Sequence, residues 1–140
     1  MVHAASESRH KGFSEEARIA RRLLNQRRQR TVVFDGTIID ECEWEMMLDA
    51  LIAQEEGRLN TLSNICLATS VPAATAFRHL NKLIERDILI RRPDPRDGRR
   101  AWVELNPGIE DRLRLLLQSW SLQDAAEALI PGRRCSCQRR

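Results

Sequence analysis

Arg78, Asn81 and Lys82 recur at positions i, i+3 and i+4, the spacing that places three side chains on one face of a helix. An arginine fork matches the acceptors on a guanine edge, and an asparagine amide matches adenine. A helix carrying them could read base edges in a major groove, and Arg78 is the first candidate for base contact. Ala74, Thr75 and Phe77, a turn earlier, could meet a backbone phosphate or a thymine methyl group. Phe77 stands at the border between this face and the apolar one formed by Ala73, Ala76, Leu80, Leu83 and Ile84. A solvated surface helix would carry the same polar residues, so the inference depends on what surrounds them.

Those surroundings are informative. Thr61 can cap a short helix reaching to about Thr69, with Leu62, Ile65 and Cys66 facing inward. Ser70 and Val71 form a tight turn, with Ser70 where glycine is common, and Pro72 opens a longer helix running to Arg86. Two helices joined by so short a turn fit the helix-turn-helix unit. Two strand-like runs follow, 88–92 and 99–105, and in the second Ala101, Val103 and Leu105 share a face. The tip between them is rich in turn residues. It carries Arg96, Asp97, Arg99 and Arg100, with Arg91 and Arg92 on the entering strand. Arginines on a projecting loop suit phosphate contact and entry into a minor groove.

Residues Thr61 to Leu105 resemble the DNA-binding core of MarR-type winged-helix regulators. The stretches that carry the resemblance are ICLATSV at 65–71, the helix from Ala73 to Leu89, and the wing DPRDGRRAWVEL at 94–105. The wing is the most specific of the three, matching the family's D-x-R-D-x-R pattern. The resemblance extends loosely from Trp44 to Trp120. It implies a homodimer on double-stranded DNA, with Asp97 orienting Arg99 or Arg96 toward the minor groove. It also brings in a small-molecule effector, which many family members bind between the winged domain and the dimer helices. Here Pro72 stands where Ser or Thr often caps the recognition helix, and Asp87 replaces a frequent Gly at its end.

The rest of the chain frames this unit. Ser14, Glu15 and Glu16 start a helix to about Arg30 whose apolar positions, Ile19, Leu23 and Leu24, form a narrow stripe that wants a partner. Residues 31–40 contain Asp35-Gly36, compatible with a hairpin or with a linker that tucks Phe34 and Ile38 against the core. From Asp40 to Gln54, Trp44, Met47, Leu48, Leu51 and Ile52 recur at helical spacing. The last helix carries Leu113, Leu116, Leu117 and Trp120, a second stripe assigned to dimerisation. The expected architecture is mainly α with a small β-hairpin wing. It comprises a disordered start (1–13), an N-terminal helix and linker (14–40), a winged helix-turn-helix domain (41–107), a C-terminal helix (108–130) and a flexible tail (131–140).

A chain of 140 residues with 42% hydrophobic residues supports one modest core. The net charge of +3 is unevenly spread: +5 over residues 1–30, −7 over 31–60, +3 over 61–105 and +2 over 106–140. The basic segments suit a polyanion, and the acidic one reads as a solvated face turned away from it. No apolar run is long enough to span a bilayer and no signal peptide is evident, so a cytoplasmic placement is expected. Phosphate-loop, nucleophile-elbow and metal-hydrolase motifs are absent, so no enzyme and no cofactor is expected. Cys42, Cys66, Cys135 and Cys137 form no CxxC pair, and His3, His10 and His79 are scattered, so no metal site is expected. Two alternatives remain: a winged-helix docking module without DNA binding, and a redox-responsive regulator using its cysteines.

Overall fold

The computed structural model describes residues 14–37 and 39–129. The proposed disorder of 1–13, the tail with Cys135 and Cys137, and the packing of Ile38 lie outside the described residues. The elements, in chain order, are α1 (Glu15–Val33), α2 (Glu41–Glu55), α3 (Leu62–Leu67), α4 (Ala73–Glu85), β1 (Leu89–Pro93), β2 (Ala101–Leu105) and α5 (Pro107–Ala128). This is a mainly α winged helix flanked by helices on both sides.

α2 is the spine of the core. Asp40 caps it, its Oδ1 accepting from the Glu43 N–H at 2.9 Å. Met46, Met47, Ala50 and Ala53 are almost fully enclosed. Gly57, at φ +65°, stops the helix, and the Arg58 N–H closes back on the Ala53 carbonyl at 2.8 Å. The acids of this helix do not all form a solvated face: Glu43 is only 4% exposed. Its Oε2 accepts from Arg86 Nη2 at 2.7 Å, because α4 brings an arginine from 43 positions further along.

α3 begins where expected, with Thr61 Oγ1 accepting from the Asn64 N–H. The backbone ahead of it joins the hairpin, since Thr61 bridges Trp102 and the Asn60 carbonyl accepts from Val103 N–H. Ser70 needs no left-handed backbone, contrary to the glycine analogy; Asp35 and Asp87 are the non-glycine residues with positive φ among those described. Ser70 instead ties the turn to α2, donating from its N–H and hydroxyl to the Glu45 carboxylate at 3.2 and 3.4 Å.

α4 places Ala76, Leu80 and Leu83 in the core. Pro72 is its capping position, one residue outside the helix, and supplies no side-chain bond to the first N–H groups. At the other end Asp87 takes φ +54°, and the Ile88 N–H reaches the Leu83 carbonyl at 2.9 Å. This is the helix stop usually served by glycine. Asp87→Ala is therefore expected to lower unfolding free energy by about 1 kcal/mol, while Asp87→Gly leaves it nearly unchanged. Urea denaturation of both variants checks this.

β1 and β2 pair antiparallel, with Leu89 opposite Leu105, Arg91 opposite Val103 and Pro93 opposite Ala101. Leu89, Ala101, Val103 and Leu105 are buried, and the tip projects away from the core. Asn106 then caps α5 and Pro107 sits in its first turn. The helix continues unbroken past Ser121.

One open reading about the flanking helices is decided and one expectation needs correction. α1 runs to Val33, and of the two readings left open for 31–40 the linker holds at Phe34: Asp35-Gly36 forms a left-handed turn, not a hairpin, and Phe34 is buried in the core. In α5, Leu113 and Leu116 are buried in their own subunit, and Leu117 and Trp120 pack against the same core. Trp120 meets Trp44 at 6.1 Å between ring centroids and donates its indole N–H to Gln29 of α1. The apolar residues left outside are Ile19, Leu23, Leu24 and Val32 of α1, Leu115 and Leu122 of α5, and Leu129 just past its end.

One ion-pair cluster gives α5 a pH dependence. Arg114 donates to Glu110 at 2.8 Å and also meets Glu55, and Gln54 donates to Glu110 at 3.0 Å. The Arg114 hydrogen bond, with help from Gln54, holds the Glu110 carboxyl below its ordinary value. A depressed folded pKa contributes stability above the unfolded value and loses it as pH falls through the folded one. Glu110→Gln should lower stability at neutral pH and flatten the acid limb of a stability-versus-pH curve, the two proteins converging as pH falls below the ordinary carboxylate range.

Candidate nucleic-acid interface

The face of α4 opposite Ala76, Leu80 and Leu83 points to solvent. Ala74, Arg78, Asn81 and Lys82 are exposed and Thr75 is half-buried. Phe77 is 48% exposed, so it does not complete the core and stands beside the polar residues. Among the described residues, no ion pair or side-chain hydrogen bond engages Arg78, Asn81 or Lys82. The uncapped first turn of α4 leaves N–H groups directed outward, a polarity that favours an anion such as a phosphate.

The wing tip is shaped by its own aspartates. Asp94 Oδ1 accepts from the Arg96 N–H at 2.8 Å, and Asp97 Oδ1 accepts from the Arg99 N–H at 3.0 Å. Across the tip, Asp94 N–H donates to the Arg100 carbonyl and Arg100 N–H to the Asp97 carbonyl, both at 2.9 Å. The Asp97 carboxylate pairs with the Arg100 side chain, at 3.9 Å. Asp97 thus touches Arg99 through the backbone, leaving the Arg96 and Arg99 guanidinium groups exposed and without an acidic partner among the described residues. Arg91 is likewise exposed, while Arg92 is paired with Glu104 at 3.2 Å.

The sequence-derived residues therefore fall into two exposed groups: Ala74, Thr75, Phe77, Arg78, Asn81 and Lys82 on α4, and Arg96, Asp97, Arg99 and Arg100 at the wing. Sequence reasoning missed the supports behind them. Glu45 anchors the turn, and Glu43 holds Arg86 while lying 3.4 Å from His79. His79 Nδ1 is also 3.0 Å from Asp40. The signal available in the sequence was weak, because acids spaced by two along an amphipathic helix look like ordinary surface.

The MarR family model matches residues 46–100, from the middle of α2 through the wing tip. Among solved structures, the crystal structure of the S. aureus MepR–DNA complex is similar, with a TM-score of 0.63 and 17% identity over 80% of this chain and 86% of that one. S. aureus MepR bound to ethidium bromide gives a TM-score of 0.59 and 16% identity over 85% of each chain. The transcriptional regulator Tm0710 from Thermotoga maritima gives 0.54 and 16%, over 81% of this chain and 79% of its own. No curated protein matches the sequence. With the MarR family pattern over residues 46–100 and a shared fold along most of its length, the chain has a winged-helix fold similar to that of MarR-type proteins.

Proposed function

We propose that the chain binds double-stranded DNA in a sequence-specific manner as a homodimeric transcriptional regulator, with α4 in the major groove and the wing at the minor groove. The observation that carries this reading is charge without counter-charge. Arg78 and Lys82 on α4, and Arg91, Arg96 and Arg99 on the hairpin, are exposed and unpaired among the described residues. Cations held on two rigid elements, with no internal partner, are suited to a polyanion.

The homodimer is supported by α1, none of whose residues is buried. Leu23, Leu24 and Val32 are each more than half exposed, as are Leu115, Leu122 and Leu129 at the other end of the chain. Apolar surface of this kind favours association. Two-fold pairing would set the recognition helices roughly 34–36 Å apart, one DNA turn. A cleft of about 550 Å³ between α1 and α5, lined by Arg28, Val32, Val33, Arg112 and Leu115, borders this surface and supports a small-molecule effector site there.

The redox alternative loses support at Cys42 and Cys66. Both are buried, and burial pushes both thiols above their ordinary value, away from the reactive thiolate. Cys135 and Cys137 lie outside the described residues. The docking-module alternative is separated by titrating the full chain with labelled random duplex. The proposed function predicts binding that weakens steeply with salt, its logarithmic slope falling by about 0.9 for each phosphate contact removed. A docking module would show no such binding.

A further inference from the structure

One cluster beneath the recognition helix lies where the core, at Cys42, meets partly exposed polar groups. Asp40 caps α2, Cys42 sits in its first turn, and His79 projects from the middle of α4. One ligand atom from each, a carboxylate oxygen, a thiol sulfur and a ring nitrogen, lies within 4.8 Å of the other two. His79 Nδ1 is 3.0 Å from Asp40 Oδ2 and 3.4 Å from Glu43 Oε1. A hydrogen-bonded His–Asp pair would account for two of these groups. Cys42 packs in the core and its thiol meets Thr69, yet its sulfur also faces this pair.

We infer that Asp40, Cys42 and His79 form a binding site for a single thiophilic divalent cation of the Zn²⁺ class. The donor set decides the class. Mixed S, N and O ligands suit Zn²⁺, whereas Mg²⁺ and Ca²⁺ take oxygen shells. Bonds of about 2.0–2.3 Å at tetrahedral angles separate ligand atoms by roughly 3.3–3.8 Å. The present ligand atoms, all within 4.8 Å of one another, exceed that spacing by about 1 Å at most. Glu43 or water completes the fourth position.

Charge and access agree with this. Glu43 and Glu45 add further negative charge beside Cys42, of which Arg86 offsets Glu43. The Asp40 side chain is 45% exposed, giving an ion a route in, while Cys42 and Glu43 close the inner side. Binding releases the Cys42 proton to solvent as its sulfur takes the metal, with no change of oxidation state. His79 lies 37 residues or more from Asp40 and Cys42 along the chain, so no short spacing motif announces the set. An ion here would fasten α4 to the start of α2 directly behind Arg78. Its effect on DNA affinity rests on the proposed function, but its binding does not.

The test uses the reduced full-length chain with Cys135→Ser and Cys137→Ser, so that the tail thiols cannot contribute, and Co²⁺ as a spectroscopic probe followed by Zn²⁺ displacement. One equivalent of Co²⁺ should produce a thiolate-to-cobalt charge-transfer band that Zn²⁺ abolishes. Cys42→Ser should remove the band, and Cys66→Ser should leave it. His79→Gln and Asp40→Asn, at more exposed positions that keep the fold testable, should each weaken Zn²⁺ binding beyond the about 10–100-fold that loss of an outer-shell partner costs. No band in the starting chain, a band that follows Cys66, or affinity indifferent to His79 and Asp40 would overturn the site. None of these readouts involves DNA, so the site and the proposed function stand or fall separately.

Discussion

Arg78→Ala is expected to weaken binding to the preferred DNA sequence by about 1–3 kcal/mol for each half-site contacted, while binding to random duplex changes far less. The side chain is exposed and has no partner within the described residues, so its removal disturbs no internal bond. Unfolding free energy should therefore stay within about 0.5 kcal/mol of the parent. The loss should appear as relaxed base preference at one position of each half-site, because a guanidinium fork carries sequence information that a phosphate contact does not. Arg96→Ala at the wing should behave differently, weakening all sequences alike and lowering the salt slope. Fluorescence anisotropy with specific and random duplexes at several salt concentrations separates the two patterns.

The second large effect concerns the opposite side of the same helix. Leu80 is fully enclosed and Phe77, three residues earlier, is half exposed. Leu80→Ala should cost about 2–5 kcal/mol, the lost transfer free energy plus the cavity left among neighbours that cannot fully collapse. That is a large share of the roughly 5–15 kcal/mol that stabilises a small domain. Phe77→Ala should destabilise far less yet reduce DNA affinity, since the side chain is 48% exposed and adjoins Arg78 in the sequence. Urea denaturation and DNA titration on both variants check the contrast. Equal destabilisation by the two substitutions would mean that Phe77 packs internally.

What could be read from the sequence was set by local chemistry. Thr61 caps α3 as anticipated, because a cap depends on residues within one turn. The apolar stripe of α4 predicted its buried side for the same reason, since 3.6-residue periodicity is a property of the helix alone. The alternation of Ala101, Val103 and Leu105 likewise marked the inner face of β2.

The misreadings involve partners far apart in the chain. Acids at 41, 43 and 45 look like one solvated run, but Glu43 is enclosed because Arg86 and His79 arrive from α4. Leu113 and Leu116 look available for another subunit, yet the groove that receives them is built by the rest of the core, invisible to periodicity. Ser70 occupies a turn position that suggested backbone strain, and its role proved to be a pair of hydrogen bonds to Glu45, 25 residues earlier. Asp40, Cys42 and His79 belong to the same class of feature. Two helices had to be packed before the three donors could be seen together.

The claim on which the rest depends is that α4 presents Arg78, Asn81 and Lys82 to base edges. Selection of bound duplexes from a random oligonucleotide pool tests it most directly, with the parent chain and Arg78→Ala run side by side. The parent should enrich an inverted repeat whose half-sites lie about one helical turn apart, and the variant should lose preference at one base in each half. An unenriched pool, or the same motif recovered undiminished by Arg78→Ala, would contradict it.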